Sequence, residues 1–228
     1  MPPGTSRHDA FVSVKSQRQQ IMQCTDMYVG ACSSGDLEAK ALLCADGEGV
    51  TVRPVRLVEG FIKLIDELLV NVGDNAWHYR ADESSVRLDV TVDRDAGWIK
   101  VENAGRHQFI QVQDHEQGLM KPEALFFTLN ASTQYGEDEL NYKGGKNGLG
   151  VKLVSIFSTR VELEVCDPEH KKRYRQTSTG NMEVIEPARI TAWPNKSGKV
   201  SVKFWPDLAR FGMERLDEDI EAFIKTRA

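Results

Sequence analysis

Residues 141–152 read NYKGGKNGLGVK, with four glycines (Gly144, Gly145, Gly148 and Gly150) inside seven positions and Lys146 and Lys152 bracketing the core of the run. Glycine takes positive φ freely and has no Cβ, so an oxyanion can approach the backbone N–H groups of such a loop. The apolar stretch LVSIFS follows. It predicts a helix whose free N-terminal N–H groups and positive dipole end stand behind the loop. The chemistry on offer is phosphate binding. The spacing matches neither G-x-x-x-x-G-K-[ST] nor G-x-G-x-x-G, and no strand feeds directly into it. On these residues alone, a glycine loop serving only reach is the competing reading.

A second feature lies some seventy residues earlier. Residues 57–80 read LVEGFIKLIDELLVNVGDNAWHYR. Leu57, Phe61, Leu64, Ile65, Leu68, Leu69 and Val72 recur at helical spacing and form a broad apolar stripe. On another face Glu67 and Asn71 stand four apart, with Asp74 and Asn75 at the next turn, and this ridge carries no lysine or arginine. An amide oxygen is a hard ligand suited to magnesium. A carboxylate one turn away can orient and deprotonate water. A plain polar helix edge is the alternative.

Taken with what lies between them, the two features resemble a known family. ELLVNVGDN, NAGR, ASTQY and GGKNGLGVK are similar to the ATPase domain of eukaryotic-type (type IIA) DNA topoisomerase II. That domain belongs to the wider superfamily of gyrase, heat-shock chaperones, histidine kinases and mismatch-repair ATPases. DMYVG at 26–30 resembles the family's T-Y-I-G segment. IFSTRVELEV at 156–165 and FWPDLARFGMERLDEDIEAF at 204–223 match patterns specific to topoisomerase II. The resemblance runs from about Gln23 to the end of the sequence.

The resemblance implies a role for each matching residue. Glu67 corresponds to the general base that activates the attacking water. Asn71 corresponds to the magnesium ligand, with Asn75 beside it in the nucleotide site. Asn103 corresponds to the residue that recognises the exocyclic amine of adenine. Ser132, Thr133 and Gln134 correspond to a Ser-Ser-Asn run touching ribose and phosphate, the last with a longer amide. Gly145, Lys146, Asn147, Gly148, Leu149, Gly150, Val151 and Lys152 correspond to the phosphate loop, Lys152 being its closing cation. Lys146 stands where many relatives carry arginine, which keeps the charge but not a bidentate fork. His107 replaces a glycine in the adenine-side turn. Gly73 sits inside the predicted helix at a cost of roughly 1 kcal/mol against alanine, explained either by close nucleotide approach or by packing.

Composition bounds the remaining readings. The 228 residues are enough for one substantial domain, with 28% charged and 40% hydrophobic residues. No apolar run reaches membrane-spanning length, and MPPGTSRHDAF has no signal-peptide core. Cys24, Cys32, Cys44 and Cys166 contain no C-x-x-C pair and read as free thiols of a reducing compartment. Net charge is −5, which speaks against this domain gripping duplex DNA alone. The one dense basic run, KKRYR at 171–175, reads first as a hairpin turn.

The pattern predicts an N-terminal arm and short helix over 1–22, with residues 16–24 helical, and an ATP-binding domain over 23–228. Residues 33–50 read as loop around a short strand, and the long helix is expected over about 56–78. Strands are expected at 86–92 and 97–103, a helix at 121–129 and a functional loop at 130–148 that would fold over nucleotide as a lid. A helix over 149–158 follows, with strands near 160–166, 172–178, 181–186, 189–193 and 199–205 and a final helix over about 213–226. Helices cluster early and strands late. This predicts an α+β two-layer sandwich, a mixed β-sheet with helices on one face, which is the superfamily fold.

The function implied is an ATP- and Mg²⁺-dependent clamp. Two copies form a homodimer on ATP binding, and duplex DNA is handled through the full-length enzyme, weakly or not at all by this domain. No membrane partner is expected, and the location implied is intracellular, in the nucleus. The family's following transducer domain, which contributes a lysine to the γ-phosphate, and its DNA-cleavage domain are not expected in these 228 residues, so a slow ATPase is expected. Tyr28, Tyr79, Tyr135, Tyr142 and Tyr174 are read as structural or lid residues, not as a DNA-cleaving nucleophile. A non-enzymatic nucleotide-gated clamp or a chaperone-like relative is the alternative.

Overall fold

A computed structural model of the protein describes residues 16–33, 40–46, 49–78, 87–105, 110–114, 118–129 and 149–228. The site is framed by one long helix, one short helix and the face of a sheet. The long helix, α3 (Glu59–His78), buries Phe61, Leu64, Ile65, Leu68 and Val72, with Leu69 half-buried beside them. The apolar stripe read from the sequence is thus the core face. Leu57 is also buried, but in the three residues leading into the helix, which starts at Glu59 and not at 56.

Before α3 come α1 (Gln17–Gln23), α2 (Thr25–Val29), β1 (Lys40–Asp46) and β2 (Gly49–Val55). Ser16 caps α1 through a reciprocal pair with Gln19. Arg18 holds α1 to the turn at 180–183, donating to the carbonyls of Asn181 and Gly180. β1 and β2 form a seven-pair antiparallel hairpin, where the sequence had suggested mostly loop. Arg53 of β2 pairs with Asp219, whose carboxylate also accepts from the Arg56 N–H, so the hairpin is fastened to the last helix.

The main sheet is built from β3 (Arg87–Asp93), β4 (Trp98–Gly105), β5 (Ser158–Asp167), β6 (Lys172–Thr179), β7 (Val184–Ile185), β8 (Arg189–Ala192) and β9 (Gly198–Pro206). Its order is β3-β4-β9-β5-β6-β7, with β8 also on β6, and every ladder among the described residues is antiparallel. The last strand therefore enters at the centre, between β4 and β5. Ile99 and Val101 of β4, Val161, Leu163 and Val165 of β5, and Val202 and Phe204 of β9 alternate inward to meet the helices. The expected α+β sandwich is the fold observed.

α4 (Lys121–Phe126) and α5 (Gly150–Ile156) complete the helical layer, and both are shorter than their sequence expectations. A 3₁₀ turn, Leu208–Phe211, ends at Gly212 in the left-handed region (φ 62°), and Phe211 packs edge-on against Phe61 and Phe157 at centroid distances of 5.7 and 6.1 Å. The final helix, α6 (Glu218–Arg227), begins five residues later than expected because Asp217 is its cap, accepting from the N–H groups of Asp219 and Ile220.

The basic run lies at the β5–β6 hairpin: Lys171 takes a left-handed turn (φ 53°) and Lys172–Arg175 enter β6. Arg173 and Arg175 both pair with Glu164, and Lys199 joins them at 2.6 Å. Burial would raise the Glu164 carboxyl, but Lys199 and Arg175 outweigh it and hold the group below its ordinary range. Two of the run's four cations thus share the one Glu164 carboxylate. No helix among the described residues is long and apolar enough to cross a membrane.

Candidate active site

The central observation concerns Glu67 and Gly150. These residues are eighty-three positions apart in sequence, yet a Cβ built on Gly150 would lie 2.6 Å from the Glu67 Cδ and closer still to its Oε2. A non-bonded Cβ is essentially never found that near, so glycine at 150 is what lets the Glu67 carboxylate keep this position. α3 brings the carboxylate and α5 brings the glycine, and the two helices pack directly on one another.

α5 begins where the glycine run ends. Leu149 stands at its N-cap, with helical backbone angles and no side-chain cap, and Gly150, Val151 and Lys152 form its first turn. Their N–H groups lie at a helix end that no side chain among the described residues caps, which suits an anion. Val151 is half-buried, while Lys152 is only 1% exposed. Burial pushes the Lys152 ammonium down to about 8 from its ordinary 10.5. A lysine kept inside the fold at this position, rather than on the surface, was not legible from the sequence.

Glu67 is itself mostly enclosed, its side chain 16% exposed, and its Oε1 lies 2.5 Å from Lys63 Nζ. The ridge of α3 therefore does carry a cation, contrary to the sequence reading. Lys63 stands one turn before Glu67, on the N-terminal side of the Glu67–Asn75 ridge. The i,i+4 spacing was the signal that could have found it. One turn further along, exposed Asn71 donates its amide Nδ2 to the Glu67 carbonyl at 2.6 Å. That bond fixes the amide and leaves its oxygen free among the described residues, the atom a magnesium ion would take. Asn75 follows in the same helix; its side chain lies outside the described residues.

Gly73 has open space around it: a Cβ there would meet nothing within 4 Å. Among the described residues no packing reason for a glycine exists. Gly73→Ala is expected to stabilise the fold by roughly 1 kcal/mol through helix propensity, read as a higher urea midpoint at unchanged slope. A lower midpoint would show a steric partner at this position.

Asn103 lies on β4, opposite Leu88 of β3 and Val200 of β9, with 7% of its surface exposed. Its side-chain Oδ1 is buried and has no hydrogen-bond partner among the described residues. Such an orphan costs free energy unless a donor arrives, and an exocyclic amine is such a donor.

The segment after β4 is held by a residue that sequence reasoning missed. Asp167, at the end of β5 and 1% exposed, accepts from the Val112 N–H at 2.7 Å, from the N–H groups of Glu169 and His170, and contacts His170 Nδ1 at 2.7 Å. Burial would raise its carboxyl, but these donors outweigh it and hold the group below its ordinary value. Residues 110–114 are thereby pinned between Asn103 and α4, and a bridge between Asp114 and Met120 and a bond from the Lys121 N–H to the Gln113 carbonyl continue the path.

The structure thus brings Glu67 against Gly150 where α3 meets α5, with Asn71 one turn further along α3 and Leu149, Val151 and Lys152 beside Gly150 at the start of α5, and it sets Asn103 on β4, a strand that contacts α3. Ser132, Thr133, Gln134, Gly145, Lys146, Asn147 and Gly148, with His107 and the expected lid 130–148, lie outside the described residues. Among the described residues no group of three acidic, histidine or cysteine side chains could hold a metal. A metal here would rest on the amide oxygen of Asn71 and on the ligand's own oxygens.

No family model matches the chain. It is 36% identical over 212 residues to the DNA topoisomerase 2 of Candida glabrata, covering 93% of this chain and 15% of that protein. It is likewise 36% identical over 214 residues to the probable DNA topoisomerase 2 of Dictyostelium discoideum, covering 93% and 14%. Its fold superposes on the ATPase region of Saccharomyces cerevisiae topoisomerase II with a TM-score of 0.83 at 33% identity, over 93% of this chain and 55% of that one. The chain therefore spans about one seventh of the length of the curated relatives it matches.

Proposed function

Because this chain belongs to the eukaryotic-type DNA topoisomerase II family, in the stretch that carries the ATPase region, we propose that it binds Mg²⁺-ATP at the junction of α3 and α5 and hydrolyses it. The observation that carries this reading is the carboxylate of Glu67 pressed against Gly150, two residues before the buried Lys152.

The residues fit both groups. Asn103 offers adenine an unsatisfied buried acceptor. The uncapped first turn of α5 and Lys152 offer the phosphates N–H groups and a positive charge. Asn71 offers a hard oxygen to magnesium, which when bound neutralises triphosphate charge. Glu67 orients water and takes its proton; the water oxygen bonds to the γ-phosphorus as the bond to the β,γ-bridging oxygen breaks and ADP leaves. Ser132, Thr133 and Gln134 for ribose and phosphate, Gly145 to Gly148 for the phosphate loop, and Asn75 beside the metal complete the proposal.

Within a longer enzyme, ATP binding would close two copies into a homodimer around duplex DNA, as strand passage requires, and the eukaryotic relatives support a nuclear location. ATP acts there as a ligand that favours the closed state through contacts made only in it.

Lys152 gives the reading a test with a sign. Without nucleotide, burial lets Lys152 lose its proton near pH 8, and bound phosphate favours the charged form. ATP binding above that pH is therefore expected to take up a proton, and affinity should fall as pH rises, by at most about tenfold per pH unit. Calorimetry in buffers of different ionisation enthalpy reads both effects. Affinity that is flat across pH 8, without proton uptake, would remove Lys152 from the phosphate site.

A further inference from the structure

A carboxylate that takes a proton from water must present one oxygen in one direction, and Glu67 has little in its own helix to fix it. Asn71 bonds to the Glu67 main chain, not to its side chain. Oε2 lies against Gly150, where no donor side chain exists. Among the described residues one group engages the other oxygen: Lys63 Nζ, 2.5 Å from Oε1.

Helix stability accounts for only a small part of this ion pair. Lysine precedes glutamate by four residues, the less favourable order with respect to the helix dipole. The Lys63 side chain is 48% exposed, so solvent screens much of the attraction. The pair is asymmetric, an exposed lysine reaching over a mostly enclosed carboxylate of 16% exposure. What it accomplishes is geometric: Oε1 is occupied, and Oε2 is the oxygen turned to the start of α5.

We propose that Lys63 is a positioning residue for Glu67, holding Oε1 so that Oε2 keeps its place beside Gly150 at the start of α5. The proposal rests on the reading of Glu67 as general base. Lys63 touches neither substrate nor reacting atoms in this role. It acts on the rate of the chemical step and not on nucleotide binding.

The test is single-turnover ATP hydrolysis by the 228-residue chain with Lys63→Met, which keeps length and removes charge, and Lys63→Arg, which keeps charge. Lys63→Met is expected to lower the rate about 10- to 100-fold through loss of alignment, with ATP affinity and melting temperature unchanged. Lys63→Arg should recover most of the rate. In a Glu67→Ala background Lys63→Met should have no further effect. If Lys63→Met turns over at the parent rate while Glu67→Ala is inactive, the positioning role is wrong and the base reading stands. If Glu67→Ala itself keeps full turnover, the base reading fails and this proposal fails with it. Weakened ATP binding by Lys63→Met would make Lys63 a ligand contact and overturn the proposal.

Discussion

Glu67→Ala is expected to lower single-turnover ATP hydrolysis by about 10²- to 10⁴-fold while leaving ATP affinity within about threefold of the parent. Binding should survive because the groups proposed to hold nucleotide stand elsewhere: Asn103 on β4, Lys152 and the uncapped N–H groups on α5, Asn71 a turn further along α3. The fold should survive as well. Removing the carboxylate releases Lys63, whose side chain is already half in water, and breaks one i,i+4 pair worth about 0.3–0.5 kcal/mol. Rapid-quench measurement of ADP formation, beside equilibrium binding of a non-hydrolysable ATP analogue, separates the two quantities. Equal loss of both would make Glu67 a structural residue. Unchanged hydrolysis would place the base elsewhere.

The parts legible in the sequence were those whose signal is local. The stripe from Phe61 to Val72 repeats at helical spacing and is buried as that spacing demands. The β3–β4 hairpin is announced by alternation on both sides of the DRDAG turn, and the observed register pairs Asp93 with Trp98 across it. The short β1–β2 hairpin was less legible, because Pro54 and the turn-rich ADGEG resemble loop chemistry. The start of α6 was misplaced by five residues although Asp217 is a good cap, because the preceding MERL has helical composition and only the chain reversal at Gly212 sets it apart.

Non-local facts were beyond reach without the family resemblance. Nothing near Asp167 in sequence indicates that its carboxylate accepts from Val112, fifty-five residues earlier. Nothing near Asn103 shows that its amide oxygen is buried without a donor among the described residues. Nor does the sequence around Lys152 distinguish a surface cation from one enclosed at 1% exposure. Each depends on β9 returning to the middle of the sheet and on α5 crossing α3, which are decided by burial over the whole chain.

Gly150→Ala is expected to act as a separation of function. In an ordinary helical turn the change would be stabilising, by up to about 1 kcal/mol. Here the new methyl group would occupy the space of the Glu67 carboxylate. What must yield is the end of a flexible side chain rather than backbone, so the helix can keep the alanine by turning Glu67 away. The melting temperature should therefore change little, while hydrolysis falls by about 10²-fold or more, as it does when reacting groups are misplaced by about an ångström. The decisive arm is the double variant. If both substitutions remove the same aligned carboxylate, Gly150→Ala/Glu67→Ala should be no slower than Glu67→Ala alone, a large departure from additivity of the kind found for residues that act as one unit. Additive losses would mean that Gly150 serves the nucleotide through its own backbone and that its contact with Glu67 is incidental. Gly150→Ala with parent activity would show that the carboxylate works from another position, and the proposed geometry of the site would then be wrong at its centre.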